Sequence, residues 1–78
     1  MTSLKEQITA VERRIEQLKL QVQQQRALID CLHREGYGVE RERRALDAII
    51  AELVLKERYR LTLYQEEAFA GMRRDKTS

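Results

Sequence analysis

Leu32-His33-Arg34-Glu35-Gly36-Tyr37-Gly38-Val39-Glu40 is the stretch that decides how this chain folds. Two glycines bracket one residue in the middle of a chain that has no proline and only one other glycine, Gly71. Glycine accepts the left-handed backbone that ends a helix at little steric cost. The pair therefore predicts a turn, with segments of nearly equal length on either side, residues 3–35 and 39–70. At about 1.5 Å per residue, each segment would form a helix on the order of 50 Å long. Equal helices joined by a short loop can pair along their whole length, so the expected fold is all-α, an antiparallel two-helix hairpin.

The first segment has a regular apolar period. Ser3 followed by Glu6 is a capping-box pattern at its start. Beyond it Leu4, Ile8, Val11, Ile15, Leu18 and Val22 step alternately by four and three, and Ile29 and Leu32 resume the series after Gln25. As heptads, Ile8, Ile15, Val22 and Ile29 take position a, and Leu4, Val11, Leu18 and Leu32 take position d. Gln25 falls at d, where a polar residue fixes register at some cost in stability. On this reading Gln25→Leu should stabilise.

The second segment is less regular. At 100° per residue, Val39, Leu46, Ile49, Ile50, Leu53, Val54, Leu61 and Tyr64 share one broad face, with Glu57 among them. Leu55, Tyr59 and Leu63 project from the opposite side, and Leu20 and Leu28 lie off the main seam of the first helix. A lone hairpin buries one stripe per helix, which leaves these five exposed. Each large apolar side chain is worth about 1.5–3 kcal/mol when buried, against a total domain stability on the order of 5–15 kcal/mol. Self-association follows as the expectation, most simply a homodimer forming a four-helix bundle. A docking site for a helix of another protein is the alternative use of the Leu20, Leu28, Leu55, Tyr59 and Leu63 surface.

Composition points the same way. A chain of 78 residues is one small domain, which needs help from disulfides, metals or partners. Cys31 is the sole cysteine, so no internal disulfide forms, and a lone thiol suits a reducing compartment. With 15 basic and 13 acidic residues the net charge is only +2, the balance of a solvated helical surface rather than of a polybasic arm. Acid-first pairs at i,i+4 (Asp30 with Arg34, Glu40 with Arg44, Glu52 with Lys56) support the helices by a few tenths of a kcal/mol each. No apolar run reaches the roughly 20 residues of a membrane span, and residues 1–5 lack a signal-peptide core, so the expected location is cytoplasmic. The domain is drawn as residues 1–71, with 72–78 as a flexible tail lacking apolar period.

Candidate chemistry is sparse. Cys31 and His33 point about 200° apart on a helix and cannot share one ion, and four-ligand zinc wants two such pairs. No base stands at a spacing that would activate either, and no glycine-rich phosphate loop is present. Glu66 and Glu67 read as solvated surface carboxylates. No catalytic residue, cofactor or metal is assigned. Arg41, Arg43 and Arg44 near the turn and Arg73 and Arg74 near the C-terminus could contact phosphate. Glu35, Glu40 and Glu42 interleave with the first group and cancel much of its field, which makes a nucleic-acid-binding regulator the runner-up to a protein-interaction module.

The stretch Gln25-Arg26-Ala27-Leu28-Ile29-Asp30-x-Leu32-x-Arg34-x-Gly36, with Ala45-Leu46-Asp47-Ala48-Ile49-Ile50-Ala51-Glu52-Leu53 after it, resembles a family of short uncharacterised bacterial helical-hairpin proteins. The likeness spans about residues 21–55. It implies a bacterial cytosolic hairpin and brings no catalytic residues with it.

Overall fold

The computed structural model describes the backbone of residues 3–77 and the side chains of 3–72. It is a two-helix antiparallel hairpin, with α1 spanning Leu4–Arg34 and α2 spanning Glu40–Thr77, packed against each other. The molecule is a rod, 66 × 18 × 15 Å, with a radius of gyration of 18.4 Å.

The start and the turn follow the local chemistry. Ser3 caps α1 by accepting a hydrogen bond from the Glu6 amide at 3.1 Å, satisfying one of the four otherwise orphaned amides. At the other end Glu35 is the C-cap and Gly36 takes φ +83°. The Gly36 amide donates to the His33 carbonyl and the Tyr37 amide to the Leu32 carbonyl, at 3.1 and 2.9 Å. These two bonds form a Schellman motif, which turns the chain within a few residues and satisfies the last carbonyls of α1. Gly38 and buried Val39 then lead into α2, whose first turn carries Glu40 and Glu42 against the positive end of its dipole.

The α1 seam has the expected phase. Ile8, Val11, Ile15 and Leu18 are buried, the last two at 0% and 1% exposure, while Leu4, Val22, Ile29 and Leu32 are half-buried. The α2 seam differs from the expectation. Its inward residues are Val39, Glu42, Leu46, Ile49, Leu53, Lys56, Arg60 and Leu63, all buried or half-buried and spaced three and four in strict alternation. Leu63, expected on the outer patch, is 2% exposed and packs with Ile8, Val11 and Ile15, whereas Leu61 and Tyr64, expected in the core, are 57% and 42% exposed.

The reason is the period. Helices packed at about +20° follow 3.5 residues per turn, and a straight 3.6 period drifts from it by about 20° per heptad. Between Val39 and Leu63 that drift reaches roughly 70°, enough to move the stripe from one side of Leu63 to the other. Glu42, Lys56 and Arg60 also hide the true seam, because long charged side chains lay their methylene stems against the partner helix while the heads reach water.

The end of α2 is a second correction. The helix continues through Gly71 to Thr77 rather than stopping near residue 70, so the backbone of 72–77 is helical; Ser78 lies outside the described residues. Glycine inside a helix costs about 1 kcal/mol relative to alanine, which without a left-handed turn or a proline does not end it. Of the glycines only Gly36 has positive φ.

Two substitutions test this architecture. Leu63→Ala should cost about 2–5 kcal/mol in urea unfolding, as for any enclosed aliphatic. Gly36→Ala should cost about 1–2 kcal/mol even though an added Cβ would meet nothing within 4 Å, because its backbone is left-handed.

Candidate interaction surface

Three contacts across the helices fix the register. Gln25 Nε2 donates to the Glu42 carbonyl at 2.9 Å. Arg14 grips Glu52 with two parallel bonds, Nε to Oε2 at 2.7 Å and a terminal nitrogen to Oε1 at 3.0 Å. The Tyr64 hydroxyl donates to Glu12 Oε2 at 2.7 Å. They hold the register in which Leu63 packs with Ile8, Val11 and Ile15, and Leu4 and Leu53 pack against that cluster, as in an antiparallel coiled coil. Arg14 and Glu52 flank the seam on one side, Glu12 and Tyr64 on the other. Sequence reading missed all three contacts. Assigning heptads to both helices would have exposed the Arg14–Glu52 and Glu12–Tyr64 pairs, since flanking positions of antiparallel helices meet their own kind.

The bonds perturb the groups that make them. The Arg14 guanidinium holds the Glu52 carboxyl below its ordinary range, chiefly by donating to it, and the Arg14 pKa is raised in return. Hydrogen bonding to Glu12 raises the Tyr64 pKa above its ordinary value. Gln25, expected to be a polar blemish in the seam, spends its amide on a backbone carbonyl beside the turn.

Outside the seam, α2 presents two further stripes at the same spacing. One holds Ile50, Val54, Glu57, Leu61 and Tyr64; of these, Val54, Glu57, Leu61 and Tyr64 line a single open groove together with Arg58 and Arg60. The other holds Leu55, Tyr59, Thr62, Glu66 and Phe69, with Tyr59 bordering a shallow groove toward Gln7 and Arg14 of α1. Val54, Leu55, Tyr59, Leu61, Tyr64, Phe69 and Met72 are all exposed. On α1, Leu20 and Leu28 are exposed as expected, but they stand apart from each other. Of the five residues assigned to an outer surface, four are there and Leu63 is not.

The remaining candidates are dispersed. Arg41, Arg43 and Arg44 are exposed at the turn end of α2, and Arg43 shares a groove with Arg26, Asp30 and Asp47, two cations against two anions. Residues 73 and 74 lie on the backbone about 45 Å along α2 from Arg44; the side chains of Arg73 and Arg74 are outside the described residues. Cys31 and His33 are exposed, and the Cys31 thiol is 4.0 Å from a Glu35 carboxylate oxygen. Among the described residues no group of three or more His, Cys, Asp or Glu is placed to hold a metal ion, and no helix is long and apolar enough to cross a membrane. Comparison with family models, curated proteins and solved structures gives no match to this chain.

Two measurements probe the register. Because the folded Glu52 pKa is depressed, its contribution is present above the ordinary carboxylate range and lost as pH falls from there through the lower folded value; Arg14→Ala should remove that part of the acid sensitivity of unfolding. Gln25→Leu should change stability by less than about 1 kcal/mol. The hydrogen bond lost and the apolar burial gained are similar in size, and the Glu42 carbonyl keeps its place in the helix ladder.

Proposed function

We propose that this chain is a non-enzymatic protein-interaction module, a small adaptor, regulator or scaffold that acts through its helical surfaces as a homo-oligomer. The observation that carries this reading is the pair of outward stripes on α2. Val54, Leu61 and Tyr64 on one side and Leu55, Tyr59 and Phe69 on the other are exposed on a rod that has no third layer to cover them. Contiguous apolar surface of this kind marks a contact with another protein. Helix-on-helix docking is the mode that a straight stripe with alternating spacing of three and four suits.

Arginine at the turn does not favour a nucleic-acid reading, because Asp30, Asp47, Glu40 and Glu42 share that end. The proposed compartment is the cytoplasm, supported by an exposed free thiol that reducing surroundings would preserve. The likeness to short bacterial hairpins over residues 21–55 belongs to the same proposal.

Sedimentation equilibrium of the purified chain, combined with affinity capture from native extract with and without nuclease, tests the reading. The expected outcome is a dimer or larger assembly and a protein partner set indifferent to nuclease. A helical monomer at hundreds of micromolar would remove self-association, and a nuclease-sensitive capture would replace the module by a nucleic-acid regulator.

A further inference from the structure

We infer that α2 pairs antiparallel with α2 of a second copy, through the stripe Ile50, Val54, Glu57, Leu61 and Tyr64, about a two-fold axis near the level of Tyr59. This rests on the self-association proposed above and specifies where and in which direction it occurs. The stripe has the spacing of a coiled-coil seam in its own right, with steps of four, three, four and three. It is separate from the seam that α1 already occupies. In the hairpin its exposed members, Val54, Leu61 and Tyr64, have water where a third helix would pack.

Charge selects the occupant and its direction. The groove holds one acid, Glu57, in its middle, with Arg58 and Arg60 on its walls. A parallel second copy would set Glu57 against Glu57 and arginine beside arginine, which is repulsive at close range. Turned end for end about the Tyr59 level, the stripe becomes complementary to itself. Val54 then faces the partner's Tyr64, Leu61 faces the alkyl stem of the partner's Glu57, and Ile50 faces the partner's Ala68. Each Glu57 carboxylate comes within about one helical turn of the partner's Arg58 and Arg60, so two acids meet four bases across the axis. An isologous contact needs this property: the same patch on both copies, matched to its own reversal.

The opposite stripe lacks it. Leu55, Tyr59 and Phe69 are interrupted by Thr62 and Glu66, and Glu52 at its edge is already bound to Arg14. An uncharged apolar partner could cover the Val54 stripe but would take Glu57, Arg58 and Arg60 out of water while offering no countercharge of its own, at a cost in binding.

The experiment uses the full chain with Cys31→Ser, so that single cysteines can carry spin labels. Two labelled variants, Arg44→Cys and Gln65→Cys, place the label on α2 outside the stripe. Antiparallel pairing about Tyr59 predicts interlabel distances of about 45 Å for position 44 and about 20 Å for position 65. Parallel pairing predicts short and nearly equal distances at both, which would overturn the proposal while leaving self-association in place. Sedimentation equilibrium of Leu61→Lys should show dimerisation weakened about a hundredfold or more, because both copies change at once, with helicity retained since Leu61 is exposed in the hairpin. Leu55→Lys should leave the dimer intact. A dimer that survives Leu61→Lys, or is lost with Leu55→Lys, places the contact on another face and overturns the proposal. A parent chain that stays monomeric at hundreds of micromolar overturns this inference and the self-association reading together.

Discussion

Two helices laid side by side can enclose only one line of side chains from each, and every other property of this molecule follows from that geometric limit. Among the described residues, Ile15, Leu18 and Leu63 are the large side chains most fully enclosed. Around them the seam thins in both directions, toward half-buried Leu4 at one end and Ile29 and Leu32 at the other. The two helices share the work unequally. α1 offers aliphatic residues at nearly every layer, while α2 answers at three layers with Glu42, Lys56 and Arg60. A core built in this way is narrow, and its flanks are closed by Arg14 with Glu52 and by Glu12 with Tyr64 rather than by further apolar packing. What α2 saves in apolar residues on its inner line it spends on its outer ones.

How much of this the residues disclosed can be traced position by position. Gly36 and Gly38 marked the turn, Ser3 the first cap, and the four-and-three spacing from Leu4 to Leu32 the phase of α1. Each of these signals is local and depends on a few neighbouring residues. The phase of α2 is not local. It depends on supercoiling against α1, which shortens the period, and on charged residues whose buried portions are methylenes. Leu61 and Tyr64 therefore changed places with Leu63. The cross-helix bonds were hidden for the same reason: pairing Arg14 with Glu52 requires the register, and the register requires the phase. Gln25 was visible as an anomaly in the seam, but its acceptor is a backbone oxygen, which no reading of side-chain types can single out.

The surface displays the difference between polar residues that serve the hairpin and apolar residues that do not. Arg14, Glu52, Glu12 and Gln25 all cross from one helix to the other. Val54, Leu61 and Leu55 are exposed instead, and their burial would contribute nothing to joining α1 to α2. A sequence under no demand but hairpin formation would place Lys, Glu or Gln at these outward positions, as α1 largely does. Under the proposed interaction reading, the asymmetry between a largely polar outer face on α1 and an apolar one on α2 puts the contact on α2.

The shape of the rod governs how it travels through solution. A compact chain of 78 residues would have a radius of gyration of about 11–12 Å, whereas this one measures 18.4 Å. A globular protein of that radius would contain roughly 270 residues, more than three times as many. In a sieving column even a solitary hairpin would thus migrate with much heavier spheres, and hydrodynamic size alone would mimic a trimer. Only methods that weigh the particle, rather than gauge its drag, report how many chains it holds.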